Sequence, residues 1–324
     1  MPNVSIIIPI YGVEKYIERC ADSLFSQTLD DIEFIFVDDC SPDNSMSLLE
    51  KKIEINRPRF AGKNWEVRTV KMPTNSGQAA VRRHGIQLAT GEYVIHCDSD
   101  DWVEPDAYRL MYEKAIKEDL DIVFCDLYRA TDIDKTAWLN ECEDGEDKDS
   151  YMRNLLTRKC FSALWNKLVK RSLYDNPIVY PRCNMWEDYV LSIQVFYYAK
   201  RIGYLNIPLY NYYINLQSIC HTDPTKKQEQ ININSKIILD FFTREDLLEK
   251  YKKEIVVFKN TARQELLASI NERRIWKMWF NTYPEINKLF LKSDIVSIKD
   301  KLRFVVIMIG LYPLELKIRR IFPE

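Results

Sequence analysis

No excess of basic charge runs through these 324 residues. Their 46 Lys and Arg stand against 48 Asp and Glu, a net charge of −2, so no broad positive field advertises a nucleic-acid partner. No Cys-x-x-Cys pair occurs among the eight cysteines, which excludes zinc-ribbon spacing and a dense disulfide framework and fits thiols in a reducing compartment. No charged leader with a cleavage site precedes "VSIIIPIY", so the chain is expected in the cytoplasm. The longest apolar run, "FVVIMIGLY" at 304–312, falls well short of the roughly 20 residues that span a bilayer. No G-x-G-x-x-G follows the first apolar run and no G-x-x-x-x-G-K-[ST] appears anywhere, which argues against a dinucleotide site and a P-loop nucleotidase. What is present is ordinary for a globular chain of one or two domains, 46% hydrophobic and 29% charged. Its 19 Tyr and 7 Trp supply ring faces that suit sugars and bases, or that simply fill cores.

Short apolar runs alternate with helical patterns over the first 125 residues. Strands are predicted at 4–11, 32–37, 65–70, 92–97 and 121–126. Between them, Val13, Ile17, Ala21, Leu24 and Phe25 recur at helical spacing. "SPDNSMSLLEKK" opens a second helix with Ser41 as its expected cap. "GQAAVRRHGIQLAT" reads as a helix ending near Gly91, and "EPDAYRLMYEKAIK" as one with Pro105 in its first turn. This alternation predicts a doubly wound, mostly parallel α/β sheet. Such sheets bind ligands at the carboxyl ends of their strands. Those ends read "PIYG", "VDDCS" and "HCDSDD", so Asp38, Asp39, Asp98 and Asp100 are expected on one edge.

Beyond residue 126 the pattern changes. An acidic stretch, "ECEDGEDKD" at 141–149, reads as a loop. "FSALWNKLVKRSLY" and "MWEDYVLSIQVFYYAKR" both look helical, "IGYLNIPLYNYYI" looks strand-rich, and from about 224 the chain is helical and highly charged.

Three carboxylates, Asp98, Asp100 and Asp101, crowd into seven residues. Burying them unpaired would be costly. At a strand end they suit Mg²⁺ or Mn²⁺, which takes one or two protein carboxylates plus the phosphate oxygens of a substrate. A nucleoside diphosphate would then be the partner. Tyr11 offers a ring to stack on a base, and Asp39 an acceptor for a base or ribose. Taken singly, each has an ordinary structural explanation: a solvated acidic loop, a packing tyrosine, an Asx turn with its cap. Their joint order on successive strand ends favours a site.

That order resembles glycosyltransferase family 2, with the nucleotide-sugar-binding fold called GT-A. The family's opening strand, helix and S-x-x-x-Q-T are matched by "IIIPIYGVEKYIERCADSLFSQTL". Its V-D-D-G-S-x-D-x-S is matched by "VDDCSPDNS", and its N-x-G-x-x-x-A-R-N-x-G by "NSGQAAVRRHGI". The pattern G-E-Y-hydrophobic-D-S-D-D is matched by "GEYVIHCDSDDW", and the later W/C-N-K-L and E-D segments by "LWNKL" and "WEDYVLS". The match spans about residues 3–220 in order. The resemblance implies a GT-A catalytic domain over 1–220, its nucleotide-sugar half at 1–125 and its acceptor half at 126–220, followed by a helical extension over 221–324.

It also implies roles. Pro9 and Tyr11 would shape the base pocket and Asp39 would bind the base, with Gly77 and Arg82 in the loop and helix that close over the nucleotide. Asp98 and Ser99 would lie by the ribose and Asp100 would ligate the metal, Asp98 contributing. Asp188 would be the general base with Glu187 its neighbour or substitute, and Asn166 and Lys167 would line the acceptor side. The implied reaction is inverting transfer of one sugar from a UDP-sugar, with Mn²⁺ or Mg²⁺, to a glycan or lipid-linked hydroxyl. No Q-x-x-R-W of processive synthases is present. Three positions depart from the pattern: Gly12 and Arg83 where Asn is common, and Cys40 where Gly is. Cys40 tolerates positive φ poorly, so a reshaped turn is expected there. The alternatives are a nucleotidyltransferase of related fold and a non-catalytic sugar-nucleotide-binding protein. Finally, 299–322 joins an apolar run to six cations, with a kink expected at Pro313. It suits contact with an anionic membrane, or packing within the chain or between two copies.

Overall fold

The computed structural model describes residues 1–214, 223–270 and 272–312. Its contacts divide the chain into two compact units, 1–155 with 159–218, and 156–158 with 219–324.

The first unit is built on a nine-stranded sheet. β1 (Val4–Ile10) and β2 (Ile32–Asp38) are fully or nearly fully buried runs rich in Val, Ile and Phe, the signature of strands covered on both faces. They pair in parallel, as do β2 with β3 (Glu66–Lys71) and β1 with β4 (Tyr93–His96). Connecting helices cover them: α1 (Ile17–Phe25), α2 (Ser45–Lys63) and α3 (Gln78–Leu88). α1 buries Ile17, Cys20, Ala21, Leu24 and Phe25 at helical spacing. Phe25 meets Phe34, Phe36 and Phe60 edge-on at 5.5, 6.0 and 4.9 Å, so one aromatic cluster locks α1 and α2 to β2.

The rest of the sheet is mixed. After β5 (Trp102–Val103) and α4 (Ala107–Glu118), β6 (Ile122–Ala130) runs parallel to β9 (Ile202–Tyr213). β7 (Lys135–Trp138), β8 (Lys167–Lys170) and β5 add antiparallel pairs, giving the order β3-β2-β1-β4-β8-β6-β9-β5 with β7 beside β6. α5 (Lys148–Leu156) and α6 (Glu187–Tyr198) lie in the same half of the sequence.

Three local expectations are corrected. "FSALWNKLVKRSLY" is not a helix: Lys167–Lys170 is β8, wedged antiparallel between β4 and β6, and Arg171–Asp175 is a 3₁₀ turn. A short buried apolar run fits either state, and here vacant edges on β4 and β6 decide it. Ser41 does not cap α2. Its Oγ accepts the Gly12 N–H at 3.4 Å, while α2 starts four residues later, where Asp43 Oδ1 accepts both the N–H and the hydroxyl of Ser45. Nor does Cys40 avoid the glycine conformation. It sits at φ +61°, and its Sγ donates to Met72 O at 3.2 Å, so a thiol contact offsets the strain.

The second unit is helical: α7 (Pro224–Arg244), α8 (Lys252–Thr261), α9 (Arg273–Asn281), α10 (Ile286–Lys292) and α11 (Ile298–Met308). Asp223 and Ser297 cap α7 and α11 by accepting N–H bonds from Thr225 and Asp300. Ile275, Trp279, Phe290, Phe304 and Ile307 form its core. Pro313 and the cations Lys317, Arg319 and Arg320, to which the sequence assigned a kink and a basic flank, lie outside the described residues.

Candidate active site

Parallel register carries the first motifs to one edge. Ile10 of β1 pairs with Asp38 of β2, and Cys97 donates its N–H to Ile7 O at 3.0 Å. Tyr11, Asp39 and Asp98–Asp100 therefore emerge together at the carboxyl ends of β1, β2 and β4. Tyr11 is 52% exposed, its ring open for stacking, and Pro9 is half-buried. Asp39 is buried, with Oδ1 accepting the Ser76 N–H at 2.7 Å and Oδ2 the Gly77 N–H at 2.8 Å. It thus holds the loop that leads into α3.

The three crowded carboxylates separate into three environments. Asp101 turns inward, where Tyr210 donates its hydroxyl to Oδ2 at 2.6 Å and Tyr213 its N–H to Oδ1 at 2.7 Å. Burial, and then the charges of Asp100 and Asp98, push this carboxyl well above its ordinary range. The Tyr210 hydroxyl also accepts the Asp98 N–H at 3.1 Å, so β9 fixes the loop from behind. Asp98 Oδ1 accepts from Arg82 Nη2 and from Gln78 Nε2. Asp100 is half-buried, and its carbonyl accepts from Arg19 Nη2 at 3.1 Å. The Arg19 guanidinium is itself stacked 3.9 Å from the Trp102 ring centroid and 4.4 Å from that of Tyr213. Ser99 between them is buried.

Arg82 joins this edge to the second half of the unit. Its Nη2 bonds Asp98 and its Nη1 bonds Glu187 Oε1, with the guanidinium 2% exposed. Burial opposes its charge, but Asp98, Glu187 and Asp188 more than offset this and hold its pKa above the ordinary value. Glu187 is buried too. Burial pushes it up to about 8 against the pull of Arg82, with Asp188 and Asp98 adding to the rise. Asp188, next along the first turn of α6, stays half-buried. Trp186 at φ +65° starts that turn, so the two acids are presented at a helix N-terminus, where negative charge is favoured.

Asn166 and Lys167 are fully buried, with Lys167 within electrostatic reach of Asp188. Lys167 is 0% exposed and donates to Phe161 O at 2.5 Å, Ala163 O at 2.8 Å and Asn166 Oδ1 at 2.9 Å. Its three donors are spent. Asn166 donates to Cys125 O at 2.8 Å. The pair holds the 161–166 loop and presents no side-chain surface to a ligand.

The sequence reading missed Gln78 and Asn184. Asn184 Oδ1 accepts the Ala79 N–H at 3.3 Å and crowds Gly77, whose φ is +81°. A Cβ there would lie 2.7 Å from Asn184 Oδ1. Gly77→Ala is therefore expected to cost about 1–3 kcal/mol of stability and to raise KM for a nucleotide-sugar donor with kcat less affected. Thermal melts and donor titration of initial rates check both.

Among the described residues, no group of three or more His, Cys, Asp or Glu side chains forms a cation site. Mg²⁺ or Mn²⁺ held by Asp100 and Asp98 would draw its remaining ligands from a bound diphosphate and water. Asp98 offers only what Arg82 and Gln78 leave to it.

Comparison with known proteins agrees with this fold. The family model "Glycosyl transferase family 2" matches residues 5–186. The putative glycosyltransferase EpsH of Bacillus subtilis (strain 168) is 33% identical over 265 residues, covering 79% of this chain and 74% of EpsH. The cholesterol galactosyltransferase of Borreliella burgdorferi is 25% identical over 319 residues, covering 93% of this chain and 83% of that one. Among solved structures, residues 1–349 of S. aureus TarS with UDP-GlcNAc superpose with a TM-score of 0.70 at 20% identity, over 99% of this chain and 92% of that one. The Pyrobaculum calidifontis mannosyltransferase PcManGT, with GDP-Man and Mn²⁺, gives 0.55 at 16% identity, over 100% and 88%. At those identities the structures speak for the fold alone. The family match covers more than half of the chain, and on it this protein belongs to glycosyltransferase family 2, with a GT-A fold.

Proposed function

We propose that residues 1–220 transfer a single hexosyl or N-acetylhexosaminyl group from a nucleoside-diphosphate donor, UDP-linked, to a hydroxyl of a glycan or lipid-linked acceptor, with inversion. The 221–324 extension is a separate helical element. The product belongs to surface polysaccharide or glycoconjugate synthesis in the cytoplasm. The observation that carries this reading is Arg82, which ties the D-x-D carboxylate Asp98 to the acid pair opening α6. One buried cation thereby sets the spacing between the donor edge and the general base. Solved neighbours that hold UDP-GlcNAc, or GDP-Man with Mn²⁺, support the donor class. Among the described residues no helix is long and apolar enough to cross a membrane.

The roles follow from exposure and chemistry. Tyr11 stacks on the base, and Asp39 holds the 75–77 loop against it. Asp188 accepts the proton of the acceptor hydroxyl as its oxygen bonds to the anomeric carbon and the bond to the diphosphate breaks. Attack comes from the face opposite the leaving group, which inverts the centre. Mn²⁺ or Mg²⁺ at Asp100 and Asp98 would neutralise the charge on the departing diphosphate. Asp100→Ala is expected to abolish metal-dependent transfer while the protein still folds, as read from its melting curve. Turnover near wild type would remove Asp100 from the metal site. Calorimetric titration with UDP and GDP, with and without Mn²⁺, followed by a hydrolysis screen across nucleotide sugars, tests the donor class. Failure to bind any nucleoside diphosphate would overturn it.

A further inference from the structure

α11 carries an apolar face that nothing described in the chain covers. Phe304 and Ile307 point into the core of the second unit. On the other side Ile298 is 78% exposed, Leu302 63%, Val305 38% and Ile309 62%, and Leu311 just beyond the helix is half-exposed. Ile298, Leu302 and Val305 in the helix and Ile309 at its C-cap fall at i, i+4, i+7 and i+11, which keeps them on one stripe roughly 60° wide at about 100° per residue. Lys299 borders this stripe on one side and Lys301 on the other. The helix's one acid, Asp300, lies away from it and accepts the Ser297 hydroxyl at 2.6 Å. Across 286–312 five cations face two acids, and the second acid, Asp294, is paired with Lys253 at 2.6 Å.

We propose that this stripe docks on the surface of an anionic lipid bilayer. An apolar strip edged by lysines matches such a surface: the strip enters the acyl boundary while the lysine stems follow it and their ammonium groups meet lipid phosphates. A second copy of the chain fits less well. Apposing two such stripes brings like-charged lysine borders together, and α11 carries no Asp or Glu on either border. Docking through α11 does not depend on which sugar or acceptor the enzyme uses. A catalytically inactive Asp188→Asn protein should dock like the wild type.

The test is co-flotation of the full-length protein with vesicles of phosphatidylcholine alone and of equal parts phosphatidylcholine and phosphatidylglycerol. The wild type is expected to float with the anionic vesicles and to be released by salt. Leu302→Gln with Ile309→Gln should lower the bound fraction roughly tenfold or more, since two apolar anchors are lost. Lys299→Gln with Lys301→Gln should abolish the preference for anionic vesicles. All four positions lie outside the catalytic unit, so transfer to a soluble acceptor and the melting curve should stay unchanged. Absence of wild-type flotation, or equal flotation of the Leu302/Ile309 variant, would overturn the proposal. So would a wild-type dimer, seen by light scattering without vesicles, that the same variant splits.

Discussion

Asp188→Asn is expected to cut turnover by on the order of 10²–10⁴-fold, the usual worth of a general base, while UDP affinity stays at its wild-type value. The two acids at the start of α6 differ in what they can reach. Glu187 is 3% exposed, and its Oε1 is bound to Arg82. Asp188 remains half-buried, more exposed than its neighbour. Burial also pushes Glu187 up to about 8 against the pull of Arg82. Two neighbouring carboxyls in unlike environments divide into distinct roles in this way. The asparagine keeps the shape and the helix start but cannot take a proton. Initial rates and nucleotide titration on the same preparations decide the matter. If Glu187→Gln abolishes transfer and Asp188→Asn does not, the base is Glu187. If neither lowers the rate, the chain does not use this pair for proton transfer.

Arg82→Met should be the most destabilising single change in the catalytic unit, costing about 3–5 kcal/mol. The guanidinium is almost fully buried between Asp98 and Glu187. Its loss leaves one deeply buried carboxyl and one largely buried carboxylate without their cation, beside a third acid. For a domain of this size the melting temperature should fall by about 10 °C. The pairing itself need not be favourable over an apolar replacement, because desolvation of a guanidinium and its acids is costly. A triple variant, Arg82→Met with Asp98→Asn and Glu187→Gln, should therefore recover most of the stability and still lack transfer activity. Recovery of neither would mean that Arg82 acts mainly through packing. A single Arg82→Met variant with a wild-type melting curve would show that the bridge carries little structural weight.

Much of the donor edge was legible in the sequence because its causes are local. β1, β2 and β4 are continuous apolar runs, and alternation with helical patterns dictates parallel pairing. Parallel pairing in turn places Tyr11, Asp39, Asp98 and Asp100 at one end. The motif order in "VDDCS" and "HCDSDDW" survives translation into space because each motif directly follows a strand.

What the sequence could not decide depends on partners distant along the chain. "NKLVK" has the same composition as a helix or a strand, and becomes β8 only because β4 and β6 leave a slot between them. Lys167 is expected from its motif to line the acceptor side, yet the carbonyls of Phe161 and Ala163 draw it inside. Cys40 holds a left-handed turn because Met72 O comes within reach from the next strand connection. Most of all, the link from Asp98 to Glu187 spans 89 positions through one arginine of α3. Local pattern fixes which face of a strand or helix is apolar and where each motif emerges. The pairing of buried charges is a long-range electrostatic choice, made only when folding removes the water that would otherwise screen them.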